Sequence, residues 1–72
     1  MIQLSEWYYY RGSYCTKGLV INTTEISEVI EIDDPYRNIS GSIICMKNGN
    51  NYRVKEPLSF ILSMIEERRA DG

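Results

Sequence analysis

Asn48-Gly49, set between two runs of strand-forming residues, is the feature that most limits how this chain can fold. Ser42-Ile43-Ile44-Cys45-Met46-Lys47 lies on one side and Tyr52-Arg53-Val54-Lys55 on the other, with Asn48-Gly49-Asn50-Asn51 between. Asparagine and glycine both tolerate positive φ, so the segment predicts a β-hairpin. A loop of two or four residues would put Ile43, Cys45, Tyr52 and Val54 on one face, and Ile44, Met46 and Arg53 on the other. Pro57 then suits the first position of a helix, where no backbone N–H is needed. Leu58, Ile61, Leu62 and Ile65 follow at helical spacing, and Phe60 and Met64 widen the stripe. Arg68 and Arg69 suit the C-terminal end of the helix dipole, and Ala70-Asp71-Gly72 is expected to fray. The stripe must be laid on the open face of a sheet. It is expected against Ile43, Cys45, Tyr52 and Val54.

Upstream, Leu4 to Arg11 contains Trp7-Tyr8-Tyr9-Tyr10, which favours a strand. Alternation sends Trp7 and Tyr9 to one face and Tyr8 and Tyr10 to the other. Arg11-Gly12-Ser13 reads as a turn, and Tyr14 to Asn22 resumes a strand through Gly18-Leu19-Val20-Ile21. Asn22 with Glu25 three residues on resembles a capping box. A tight helical turn over Thr23 to Ser27 and a strand over Glu28 to Ile32 are expected. Asp33-Asp34-Pro35-Tyr36 ends that strand. The 72 residues make one small α+β domain. Its expected form is a small, strongly bent antiparallel sheet of four to five strands, barrel-like at its most curved, with one C-terminal amphipathic helix across it.

The composition removes most catalytic chemistry. There is no histidine, so the usual general base and the usual metal ligand are missing. Cys15 and Cys45 alone do not complete a zinc site, and no glycine-rich phosphate loop is present. The paired carboxylates Asp33-Asp34 and Glu66-Glu67 read as solvated surface. The chain is expected to be no enzyme and to need no metal or cofactor. In a reducing compartment the cysteines are expected to be free thiols, although a bridge between them is not excluded by the sequence. Met1 to Glu6 lack the pattern of a signal peptide, and no run of about 18 apolar residues occurs. A cytoplasmic protein with no membrane span is therefore expected.

What remains is binding, and three surfaces suggest themselves. The first is Trp7, Tyr8, Tyr9, Tyr10 and Arg11, residue types enriched at protein-binding hot spots. One thin sheet cannot hide four rings on two faces, so at least two are expected to be exposed, to meet a partner or a second copy of the chain. The second is the acidic run Glu25, Glu28, Glu31, Asp33 and Asp34, which holds no base. The third is basic: Lys47, Arg53 and Lys55 with Tyr52 would suit single-stranded nucleic acid, by stacking and phosphate contact. A net charge of -2 favours a protein partner over nucleic acid.

From Ile26 onward the chain resembles the small flagellar proteins of the FlbD and SwrD type. The residues that carry the resemblance are Ile26, Ile30, Glu31, Ile44, Asn48, Gly49, Tyr52, Val54, Glu56, Ile61 and Ile65. It covers about the last two-thirds of the chain; the aromatic run and the segment Asp33 to Gly41 depart from the family's pattern. The resemblance implies an accessory protein that acts through contacts. A second setting, by analogy of size and acidity, is a phage or mobile-element inhibitor such as an anti-CRISPR or other anti-defence protein.

Overall fold

In the computed structural model, residues 1–70 are described, with side chains up to Glu67. The arginines Arg68 and Arg69 and the fraying expected at the C-terminal end thus fall outside the described side chains or residues. The elements are β1 (Ile2–Tyr10), β2 (Ser13–Ile21), a 3₁₀ turn (Thr23–Glu25), β3 (Ile26–Asp34), β4 (Ile39–Met46), β5 (Asn51–Val54) and α1 (Leu58–Ala70). The five strands form one antiparallel sheet in the order β2-β1-β5-β4-β3. The sheet is not closed into a barrel: β2 and β3 are its edges.

β1 and β2 pair without interruption from Ile2↔Ile21 to Tyr10↔Ser13. Their connection is Arg11-Gly12, with φ of 49° and 86°. Two positive φ angles in a two-residue loop make a type I′ turn, whose twist matches that of the strands. Gly12 adopts its angle freely, whereas Arg11 is held in a conformation that costs an ordinary residue about 1–2 kcal/mol. Arg11→Asn, which relieves that cost, should raise stability by about 0.5–1 kcal/mol. The midpoint of urea unfolding should rise with an unchanged slope; a lower midpoint would mean that Arg11 is held by contacts worth more than its strain.

The short helical turn begins where Asn22 caps it. The Asn22 side chain accepts from the Thr24 N–H at 3.2 Å and from the Thr24 hydroxyl at 2.9 Å. The turn ends at Glu25, two residues short of the expected Ser27, and β3 runs on to Asp34. β3 and β4 form a hairpin whose loop is only Pro35 to Asn38, so β3 runs past the end expected at Ile32 and most of Asp33 to Gly41 is paired strand. Asp34 closes the loop by accepting from the N–H groups of Tyr36 and Arg37 at 3.1 and 3.2 Å.

The β4–β5 hairpin forms at Asn48-Gly49, but in another register. Met46 N–H donates to Asn50 at 2.8 Å, Gly49 N–H donates to Met46 at 3.0 Å, and Gly49 has φ 92°. That is a three-residue loop ending in a left-handed glycine. An odd loop shifts the pairing by one residue and exchanges the faces. The pairs are Ile44↔Tyr52 and Ser42↔Val54 on one face, and Ile43↔Arg53 and Cys45↔Asn51 on the other. The helix therefore meets Ile44 and Val54, not Ile43 and Cys45.

The core lies on that one face. Ile2 and Leu4 of β1, Ile21 of β2, Ile44, Val54 and Ile61 are buried together. Within the helix stripe, Ile61 is fully buried and Leu58, Met64 and Ile65 are half-buried, whereas Phe60 and Leu62 are exposed. Glu56 ties the junction. Its carboxylate accepts from the Ser5 N–H at 2.8 Å, and its carbonyl accepts from the buried Ser42 hydroxyl at 3.0 Å. The domain measures 43 × 21 × 19 Å, whereas a 13-residue helix is only about 20 Å long. Much of the long axis is left without a helix.

Candidate functional site

β1 divides at Glu6. Before it, Ile2 and Leu4 are buried beneath α1; after it, Tyr8, Tyr9 and Tyr10 are exposed and Trp7 is half-buried. The four rings stay out of the buried cluster altogether. The physical reason is length. Nine residues make β1 longer than the face that α1 can cover, and its apolar half alone reaches the helix. Past Glu6↔Val54, β1 has no further register with β5. The aromatic half is thus an arm held mainly by β2.

The arm presents rings on both faces, as alternation requires. On one, Tyr9 meets Tyr14 edge-on at 5.2 Å, and the Trp7 indole N–H donates to the Ser40 carbonyl at 3.0 Å. Trp7, Tyr9 and Tyr14 form one wall of a cleft of about 540 Å³ whose other wall is Tyr36, Arg37 and Asn38 of the β3–β4 loop. Tyr36 is 98% exposed, so its ring touches little of its own chain. Asn38 sits at φ 56°, which turns this loop toward the arm. On the other face Tyr8 and Tyr10 lie 6.5 Å apart. Lys17 stands 5.5 Å over Tyr8 and 4.0 Å from Glu6, and Arg11 stands 5.2 Å over Tyr10. Ile44 and Met46 are not beside Trp7, because they belong to the core on the helix face; Ile43 and Arg53, on the outer face, lie near Trp7.

The acidic residues line one edge of the sheet. Glu25 lies in the 3₁₀ turn, and Glu28, Glu31, Asp33 and Asp34 lie on β3. Asp34 pairs with Arg37 at 3.7 Å. Glu25, Glu28, Glu31 and Asp33 are exposed and have no ion pair among the described residues. Acidic β3 and basic β5 are kept apart by β4, so they do not offset one another as cross-strand neighbours would.

The basic set is divided. Lys47 is at the hairpin turn, Arg53 is exposed on the outer face, and Lys55 follows β5. Tyr52 faces the helix and packs against the core, so it does not share a surface with Arg53. Cys15 and Cys45 are free thiols, both half-buried. Among the described residues, no three of His, Cys, Asp and Glu are grouped to hold a metal ion, and no helix is long and apolar enough to cross a membrane.

Three residues of this surface escape a reading of sequence alone: Tyr14, Lys17 and Tyr36. Tyr14 and Lys17 become legible once Arg11-Gly12 is taken as a two-residue turn, because Tyr9↔Tyr14 and Glu6↔Lys17 then follow by counting. Tyr36 has no such signal, since its place depends on how two hairpin tips converge. Comparison with protein-family models, curated proteins and solved structures finds no match to this chain.

Proposed function

We propose that this protein works without catalysis, as a stoichiometric protein-binding module whose main contact is the aromatic arm Trp7–Arg11. One observation carries the proposal: at the end of the sheet that α1 leaves bare, Trp7, Tyr9 and Tyr14 face Tyr36 of the β3–β4 loop across one cleft, and Tyr8 and Tyr10 stand exposed on the other face. Rings held on a rigid ladder lose little further freedom on binding, and Trp, Tyr and Arg dominate interface energetics. The left-handed Arg11 at the tip of the arm fits a residue retained for contact at some expense of stability. The carboxylates Glu28, Glu31 and Asp33 along β3, which have no ion pair among the described residues, would steer a basic partner and exclude acidic ones. The setting proposed is bacterial cytoplasm: an accessory protein of the flagellar kind that the hairpin and helix resemble, or a phage or mobile-element inhibitor acting by occlusion. Single-stranded nucleic acid is the less favoured partner, because Tyr52 and Arg53 lie on opposite faces.

Tyr8→Ser/Tyr10→Ser and Trp7→Ser/Tyr9→Ser separate the two faces. The first pair should fold as the parent does. The second should lose about 1–2 kcal/mol of stability with the Trp7 hydrogen bond and the Tyr9 ring contact. At least one should retain a given partner about tenfold less well in quantitative affinity capture, as loss of a hot spot requires. Equal capture of the same partners by the parent and both variants would exclude the arm. Charge reversal at Glu28 and Glu31 would then be the next measurement, read by its dependence on ionic strength.

A further inference from the structure

The two edges of the open sheet are not alike. β3 carries Glu28, Glu31, Asp33 and Asp34, and its register with β4 shifts between Ile26 and Glu28. Like charges and a bulge both discourage the addition of another strand. β2 has neither defence. Its nine residues, Ser13–Ile21, pair with β1 in unbroken register and contain one charge, Lys17.

The turn fixes which backbone groups of β2 face outward. A two-residue hairpin closes on a hydrogen-bonded pair, here Tyr10↔Ser13, so Tyr8↔Cys15, Glu6↔Lys17 and Leu4↔Leu19 are also hydrogen-bonded. Tyr14, Thr16, Gly18 and Val20 therefore turn their N–H and C=O groups away from β1. The opposite side of β1 obeys the same alternation. Ser5, the pair of Gly18, sends its N–H to Glu56 and its C=O to the Lys55 N–H, both away from β2. Among the described residues, no strand lies beyond β2.

We propose that a second copy of this chain occupies this edge, with β2 antiparallel to its counterpart across a twofold axis at Thr16. Outward-facing residues must meet outward-facing residues, so a central axis can pass only through Thr16, Lys17 or Gly18. An axis at Lys17 sets lysine against lysine, and like charges directly opposite are unfavourable. An axis at Gly18 sets one bare glycine against another, with no side chain to pack. The Thr16 axis pairs threonine with threonine, Cys15 with Lys17, and Tyr14 with Gly18. An aromatic ring opposite a strand glycine covers the backbone that the glycine leaves bare. The Tyr14 ring already has an edge contact with Tyr9 at 5.2 Å, so little further ordering is needed. The contact is isologous and closes at two copies. It joins the two Trp7–Thr16 rows side by side on one face of a continuous sheet. This assembly does not depend on what the aromatic arm binds.

Light scattering after size exclusion, at sub-millimolar protein, tests it. The parent should show twice the chain mass of 8.4 kDa. Thr16→Lys, which places two charges at the axis, should return a folded single chain by circular dichroism. Thr16→Pro, which removes an outward N–H, should do the same. If either variant unfolds, the other reports. In a Cys15→Ser/Cys45→Ser background, Thr16→Cys should cross-link on mild oxidation, since facing Cα atoms about 5.5 Å apart allow a disulfide. Gly18→Cys should not, because the Thr16 axis puts those positions four residues out of register. A parent of single-chain mass, a dimer indifferent to Thr16→Lys, or preferential cross-linking at Gly18 would overturn the proposal.

Discussion

Gly41→Ala is expected to remove most of the stability of the fold. At Gly41 the chain has φ 132°, and β4 lies directly against the end of β5, one position beyond the Ser42↔Val54 pair. A Cβ there would overlap the Val54 carbonyl oxygen and come within 2.8 Å of the Lys55 carbonyl group. Both obstacles are backbone, so no side chain can swing aside. Their position is fixed on several sides: Val54 is fully buried, Lys55 N–H donates to Ser5, and Ser42 donates to Glu56. Strain at such a φ costs about 1–3 kcal/mol, and overpacking a tight contact about as much again. A domain of this size has only about 4–11 kcal/mol in total. Urea unfolding of Gly41→Ala should therefore begin at or near zero denaturant. A variant that melts within a few degrees of the parent would mean that β4 and β5 do not approach each other this closely.

The second large effect is expected at Ile61. Its side chain is fully buried among Ile2, Leu4, Ile21, Ile44 and Val54, and is the only part of α1 so enclosed among the described residues. Ile61→Ala should cost about 2–5 kcal/mol, because the strands beneath cannot collapse into the gap. That corresponds to a melting temperature lower by about 8 °C or more. Leu62→Ala, next along the helix but 46% exposed, should cost under about 1 kcal/mol. The reverse ranking would show that the helix presents its other side to the sheet.

These two residues also mark what could be read from the sequence. Ile61 was legible: its spacing with Leu58 and Ile65 defines the buried stripe, and Pro57 marks its start. Gly41 was not, since a close approach of one strand's backbone to the end of another has no local pattern. The hairpin at Asn48-Gly49 was legible as a hairpin but not in register. A turn dipeptide tolerates loops of two, three or four residues, and one residue decides whether Ile43 or Ile44 is buried. The pairing of β1 with β5 joins nearly opposite ends of the sequence, so nothing periodic announces it. The aromatic run was legible as a strand with rings on both faces. That it escapes the core followed from the length of α1 relative to the sheet, which is a tertiary quantity.

The seam between β1 and β5 also bears on how the chain assembles. Every other strand contact is a hairpin between neighbours in sequence, whereas Ser5 and Glu56 are 51 residues apart. Local hairpins close in microseconds; a contact of this separation waits for the rest of the chain to be ordered. The N-terminal hairpin and the β3–β4–β5 meander are thus expected to form first and to dock on one another last. Their ladder at the seam is short, and what joins them is chiefly the apolar core, with Ile2, Leu4 and Ile21 on one side and Ile44, Val54 and Ile61 on the other. The core is then expected to be completed in a single event, and the backbone amides beside it to exchange with solvent only when the whole domain unfolds.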